Sequence, residues 1–237
     1  MRRLARVLDL LYPTRCLICD LDFAAGESPW WCRTCEAAIP PVTPPVCDRC
    51  AQSLETGAGS TTRCSNCEGR DLEFVWATAI GRYQGRLRQA VHRFKFLGMD
   101  LLARPFAAGM ARALHAKTDG LPWELVVPIP PSRASRIFFP RNPAELLAIE
   151  LSLILGIRAE PRLLRKVKPT PAQSGLRRDE RLSSIIGSMQ LSMKYNLTAK
   201  TILIVDDIMT TGATCSEAAR VLRHAGAGAC HVVAIAR

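Results

Sequence analysis

The chain has 237 residues, 48% of them hydrophobic, enough for one sizeable core plus a small module that needs a cross-link or a metal. Ordinary apolar content, with no long Gly/Ser, Gln or single-charge run, excludes a disordered polymer. The net charge of +11 is uneven: residues 1–71 carry 8 Lys/Arg and 9 Asp/Glu, the remainder 24 and 12, so the second part is the one suited to a polyanionic ligand.

The opening MRRLARVLDLLYP begins with arginines, but Arg6 and Asp9 interrupt its apolar stretch and no small-residue cleavage site follows. An export signal is therefore not expected. Leu4, Val7, Leu8 and Leu11 fall at helical spacing and predict a short packed helix. The longest apolar segment, Leu146 to Ile157, contains Glu150 and is too short to span a bilayer. The expectation is a cytosolic protein without a membrane span.

Eight of the ten cysteines form four Cys-x-x-Cys pairs: Cys16/Cys19, Cys32/Cys35, Cys47/Cys50 and Cys64/Cys67. Two thiolates on one tight turn can face one metal ion, and two such turns complete a four-sulfur zinc site. Disulfides compete, but they rarely persist in a reducing compartment. Iron–sulfur clusters also want four thiolates, though their common spacings hold three cysteines closer together. Zinc fits best, with two structural ions for eight ligands. The spacing leaves open whether neighbouring pairs combine or alternate pairs interleave. Closed four-sulfur sites offer no open coordination position, so residues 1–71 read as a folding or interaction module. Trp30 and Trp31 are expected in its small core or at its contact with the next domain.

From Leu72 the pattern changes, and residues 72–237 read as one larger domain. FVWATAIGRY is β-rich, and Arg86 to Leu114 is predicted helical with breaks near Gly98 and Pro105. Glu124 to Val127 reads as a short buried strand, and Ala144 to Leu155 as a helix stopped at Gly156. Then come a strand over Thr201 to Val205, a helix over Ser216 to Ala225 and a last strand over Cys230 to Ala236. The alternation argues for an α/β fold, a parallel sheet flanked by helices.

Within it, ILIVDDIMTTGATC from Ile202 to Cys215 places Asp206 and Asp207 at the end of a buried strand, followed by a Thr/Gly turn and a helix. Amides of such a turn and the positive end of the helix suit a phosphomonoester. Hydroxyls of Thr210, Thr211 and Thr214 can add donors, and the acids can accept from two neighbouring ribose hydroxyls. An isolated Asp-Asp is as readily a helix cap or a metal pair. Here strand, acids and turn occur together.

This run resembles the 5-phosphoribosyl pyrophosphate signature of the type I phosphoribosyltransferases. The resemblance implies that Asp206 and Asp207 hold the ribose, that Thr210, Thr211, Gly212, Ala213 and Thr214 hold the 5-phosphate, and that Mg²⁺ accompanies the pyrophosphate. Arg133, shortly after the Val126-Val127 strand, is the candidate pyrophosphate contact. No catalytic residue is assigned.

With the cysteine module, nearly the whole chain resembles the ComF family of competence proteins. Further runs carry the likeness: YQGRLRQAVHRFKFLG from Tyr83, VVPIPPSR from Val126, NPAELLA from Asn142 and TPAQSGLRRDERL from Thr170. Two departures stand out. Where the family shows Arg-Gly-Phe-Asn-Gln, this chain has Phe139, Pro140, Arg141, Asn142 and Pro143, and the prolines remove two backbone donors. Ser184 stands where an Asn is expected, and the Gly-Ala-Phe turn becomes Gly187, Ser188 and Met189.

The resemblance implies a role in natural transformation, handling single-stranded DNA together with DNA-uptake proteins. An active phosphoribosyltransferase acting on a nucleobase or amine is the alternative. Arg82, Arg86, Arg88, Arg93 and Lys95 interleave with Tyr83, Phe94 and Phe96, a combination compatible with phosphate contact and base stacking, although an ordinary helix face has the same look. A second basic segment, Arg162, Arg165, Lys166, Lys168, Arg177, Arg178 and Arg181, lacks aromatics.

Overall fold

The computed structural model describes residues 14–23, 30–54, 62–120, 123–132, 141–168 and 185–237. The expected helix over Leu4 to Leu11 lies outside them, as do Arg133, Phe139, Pro140, Arg177, Arg178, Arg181 and Ser184.

At the amino side β1 (Thr14–Arg15) pairs antiparallel with β2 (Asp22–Phe23), and α1 (Arg33–Ala37) follows. A matching antiparallel bridge joins Val46 to Ser53. Each hairpin turns through a Cys-x-x-Cys and leaves it by a left-handed residue, Asp20 (φ 60°) in one and Ala51 (φ 56°) in the other. Two copies of one small ribbon thus stand in series.

The chain continues through β3 (Ala77–Gly81), α2 (Gly85–Phe96), α3 (Ala103–Lys117), β4 (Leu125–Pro128), α4 (Pro143–Leu155), β5 (Arg158–Ala159), β6 (Leu164–Lys166), β7 (Met189–Leu191), β8 (Thr201–Ile208), α5 (Ala213–His224) and β9 (Ala229–Ala236). Five strands form a parallel sheet in the order β3-β9-β8-β4-β5, while β6 and β7 pair antiparallel beside it. A parallel sheet is covered on both faces, which is why β8 and β9 are near-continuous apolar runs.

Successive side chains alternate between those faces. Leu203, Val205, Val233 and Ile235 join the cluster of α2, α3 and α4, and this cluster also takes in Cys16, Ile18, Trp31 and Cys35 of the first ribbon. Ile202, Ile204, Val232 and Ala234 join the cluster of α5, together with Cys47, Cys50, Cys64, Cys67, Leu72 and Phe74. Each ribbon is therefore cemented to a different face of the sheet. Trp31, 4% exposed, packs its ring 5.8 Å from Phe106, which makes it a contact with the larger domain. At the edge strand the approach is closest: a Cβ on Gly81 would stand 2.3 Å from the Pro40 carbonyl oxygen.

Several expected boundaries shift, each for a physical reason. β8 continues past Val205 to Ile208 because β9 keeps pairing with it, Asp206 opposite Ala234 and Ile208 opposite Ala236. No break occurs at Pro105, the third residue of α3, since a first-turn amide has no intrahelical acceptor to lose. α5 begins at Ala213, three residues before the expected start. Gly156 stops α4 as expected, at φ 67°, a conformation that costs a glycine little. His231 belongs to the core: it is 4% exposed, accepts the Trp123 indole N–H at 3.2 Å, and burial pushes its pKa down to about 4. Among the described residues no helix is long and apolar enough to cross a membrane.

Candidate functional site

The eight paired cysteines gather as two tetrads, Cys16, Cys19, Cys32 and Cys35 in the first ribbon and Cys47, Cys50, Cys64 and Cys67 in the second. Neighbouring pairs combine, a point the spacing left open. Within each tetrad the ligand atoms lie within 4.8 Å of one another, with Cys19 and Cys32 sulfurs 3.9 Å apart and Cys50 and Cys64 sulfurs 3.6 Å apart. A tetrahedral zinc with bonds of about 2.3 Å needs edges of roughly 3.8 Å, whereas a disulfide needs about 2.05 Å. The donor set and its spacing fit structural zinc. In the second tetrad a hydrogen bond from Cys67, then the charge of Arg237, brings the Cys50 thiol down to about 5, towards the thiolate that a metal binds.

At the carboxyl end of β8, Asp206 is half-buried and Asp207 is 8% exposed. Asp206 accepts the Asp207 backbone N–H at 2.9 Å on one oxygen and the Cys215 thiol at 3.6 Å on the other. Asp207 accepts the Ile208 N–H at 2.7 Å and pairs with Lys95 Nζ at 2.5 Å. Burial, with the Asp207 charge added, raises the Asp206 pKa to about 7, against the pull of Lys95. Burial and the Asp206 charge push the Cys215 thiol well up, so it serves as a neutral donor. Beyond Met209 the chain turns through Gly212, at φ 76°, straight into α5. Gly212 stands at the N-cap and has no side chain to occupy the amino end of the helix, and Phe74 packs against it. Thr211 is buried, Thr214 half-buried and Thr210 exposed.

A cleft of about 270 Å³ opens beside the acids, walled by Lys95 of α2, Lys166 of β6, Ser132 and Asn142. The Lys166 charge is disfavoured by burial and supported by both aspartates. Asn142 donates from its side chain to the Ile129 carbonyl at 3.0 Å, pinning the loop after β4 to the start of α4. Pro143 takes the first position of that helix, where its missing amide costs nothing.

The acid pair, glycine turn and helix terminus share the carboxyl end of β8. The family model described as a phosphoribosyl transferase domain matches residues 96–237, more than half of the chain. The chain belongs to that family. A double zinc ribbon domain matches residues 7–68, so the phosphoribosyl transferase domain here follows two ribbons, the arrangement the ComF likeness implies. Competence protein F of Haemophilus influenzae is 28% identical over 228 residues, 94% of this chain and 96% of its own length. Competence protein ComFC of Streptococcus pneumoniae is 26% identical over 227 residues, covering 90% and 95%. DNA utilization protein YhgH of Escherichia coli is 26% identical over 234 residues, covering 96% and 99%.

Within this phosphoribosyl transferase domain, Asp206, Asp207 and the turn from Thr210 to Thr214 come together at one end of β8. The basic residues singled out around α2 divide among three places. Lys95 sits in the acid cleft, and Arg82 lines a second cleft of about 450 Å³ with Tyr83, Thr210, Thr211 and Arg237. Arg86, Arg88 and Arg93 border a groove of about 840 Å³ between α2 and the first ribbon. Arg93 is engaged there, donating to Asp20 at 2.8 Å, and Arg86 donates to Gln89 at 2.9 Å. Phe94, 3% exposed, is core and has no face to offer a base, whereas Phe96 is 43% exposed at the rim of the acid cleft. Sequence reasoning assigned Lys95 and Lys166 to basic stretches and did not foresee that they face the acids. Nothing at short range marks that approach, which depends on α2 and β6 each bringing a lysine to the cleft at the carboxyl end of β8.

Proposed function

We propose that this chain is a ComF-type protein of DNA uptake that binds 5-phosphoribosyl pyrophosphate with Mg²⁺ and, through basic residues around α2, single-stranded DNA. The observation carrying the first part is the Asp206-Asp207 pair at the carboxyl end of β8, joined through the Gly212 turn to the amino end of α5. On this reading Asp206 and Asp207 accept hydrogen bonds from the ribose hydroxyls, and Thr210, Thr211, Gly212, Ala213 and Thr214 hold the 5-phosphate. Lys95 and Lys166 face the pyrophosphate, with Arg133, shortly after Val126 and Val127 in the sequence, as a further contact. Mg²⁺, when bound with the ligand, supplies the charge that neutralises the pyrophosphate. The division at residues 71 and 72 is proposed to separate the zinc module from the ligand-binding domain. A cytosolic setting suits eight thiols that must stay reduced.

Isothermal titration of 5-phosphoribosyl pyrophosphate with Mg²⁺ into the zinc-loaded protein tests the reading. Saturable binding is expected, lost in the double variant Asp206→Asn with Asp207→Asn; no binding by the wild type would remove the proposal. Turnover is the second reading, supported by two lysines placed where they could stabilise a departing pyrophosphate. Pyrophosphate released on adding nucleobases or amines would favour it.

The names of the relatives, competence and DNA utilization proteins, support the DNA part, as do the exposed Arg82 and Arg88. Binding of a labelled single strand should weaken at least tenfold between low and physiological salt, because it rests on phosphate neutralisation. Salt-independent affinity would count against it.

A further inference from the structure

We propose that Arg237 is a positioning residue that ties the phosphate turn to the second zinc tetrad, so that anion affinity at the turn depends on that metal site. This rests on the reading of Thr210 to Thr214 as the 5-phosphate cradle.

Arg237 follows β9, and its backbone is held at both ends: its N–H donates to Gly81 at 3.0 Å, and its carbonyl accepts the Tyr83 N–H at 2.9 Å. With the main chain so fixed, the guanidinium fork spans two segments. One arm donates to the Met209 carbonyl at 3.2 Å and to the Thr210 carbonyl. The other donates to Cys50 Sγ at 2.8 Å and to the Gln52 side-chain carbonyl at 3.1 Å. A lysine ammonium, a single point on a flexible stem, cannot hold both segments in that geometry.

Two consequences follow. In a planar trans peptide the carbonyl and the next residue's N–H point in opposite directions. Holding the Met209 and Thr210 carbonyls therefore turns the N–H groups of Thr210 and Thr211 away from Arg237, which settles the direction in which this turn can donate. Second, four thiolates around one Zn²⁺ carry a net charge of about −2, and Cys50 is fully buried. Arg237 is the cation bonded to that charge, and outer partners of this kind orient metal ligands. The same guanidinium bonds Cys50 Sγ and the Met209 and Thr210 carbonyls, so a shift of Cys50 on loss of the metal shifts the clamp on the turn with it. Phe74, which shares one core cluster with the second tetrad, adds a contact with the turn, its ring lying 3.4 Å from the Cβ position of Gly212.

The test compares wild type, Arg237→Ala and Arg237→Lys as full-length zinc-loaded chains. Zinc content, amide hydrogen exchange of residues 209–214, and affinity for 5-phosphoribosyl pyrophosphate with Mg²⁺ are measured on each. Both variants are expected to exchange faster at Thr210 and Thr211 and to bind roughly tenfold more weakly, with Arg237→Lys keeping two zinc ions per chain. If Arg237→Ala sheds zinc or fails to fold, Arg237→Lys decides, because it preserves the charge beside Cys50 and removes only the fork. A folded, two-zinc variant with wild-type exchange and affinity overturns the proposal. A wild type that binds no ligand sinks the phosphate reading instead, and the exchange rates at Thr210 and Thr211 still decide whether Arg237 orders the turn.

Discussion

Asp206→Asn alone is expected to weaken binding of 5-phosphoribosyl pyrophosphate by at least about tenfold while stabilising the unliganded protein at pH 8 by about 2 kcal/mol. The two effects share one cause. Burial and the neighbouring Asp207 raise the Asp206 pKa from 3.8 to about 7. Between those values the folded state keeps a proton that the unfolded state has released, so this group's contribution to stability declines as pH rises from about 4 to about 7. Above pH 7 the ionised carboxylate is a constant cost, reduced by its partial exposure to solvent. The asparagine carries no such cost. Denaturation at pH 8, 6 and 4 should show the variant's advantage shrinking with each step down, and an advantage that is absent at pH 8 would contradict the account. Asp207→Asn should move stability the other way, because it leaves Lys95 at the rim of the core without the carboxylate 2.5 Å away. Opposite signs from adjacent, chemically identical substitutions would separate the acid whose charge is disfavoured in the fold from its lysine-paired neighbour.

The second large effect belongs to the ribbons. Cys50→Ser is expected to lower the melting temperature by at least about 10 °C, and Cys19→Ser by clearly less, although each removes one of four zinc ligands. The difference comes from burial. All four cysteines of the second tetrad are buried in one cluster with Leu72, Phe74, Met209 and Leu222, so losing that ion loosens the face of the sheet that carries α5. In the first tetrad Cys19 and Cys32 are only half-buried, and that ribbon is also anchored by Trp31 against Phe106 and by the Asp20–Arg93 pair. Zinc content measured beside thermal melts would check this. Equal losses from the two variants would mean that the tetrads are energetically equivalent despite their different surroundings.

Local pattern carried much of the architecture. Apolar runs such as Ile202 to Val205 announce strands buried on both faces, and Leu155 followed by Gly156 announces a helix and its stop. Asp206, Asp207 and the Thr/Gly turn were legible for the same reason: strand end, turn and helix start are contiguous, so adjacency in sequence ensures adjacency in space. Four Cys-x-x-Cys pairs likewise point to two ions, since each pair presents two sulfurs on one turn. Which pairs combine was settled only by folding, because joining two turns depends on how the intervening 11 to 13 residues run. Lys95, Lys166 and Arg237 lie 112, 41 and 27 residues from Asp207, Asp207 and Thr210 respectively, and no periodicity records a meeting at that distance. Those encounters are made by the order of strands in the sheet and by the face on which each ribbon packs, which is where tertiary structure, and not the string of residues, assigns a charge to its partner.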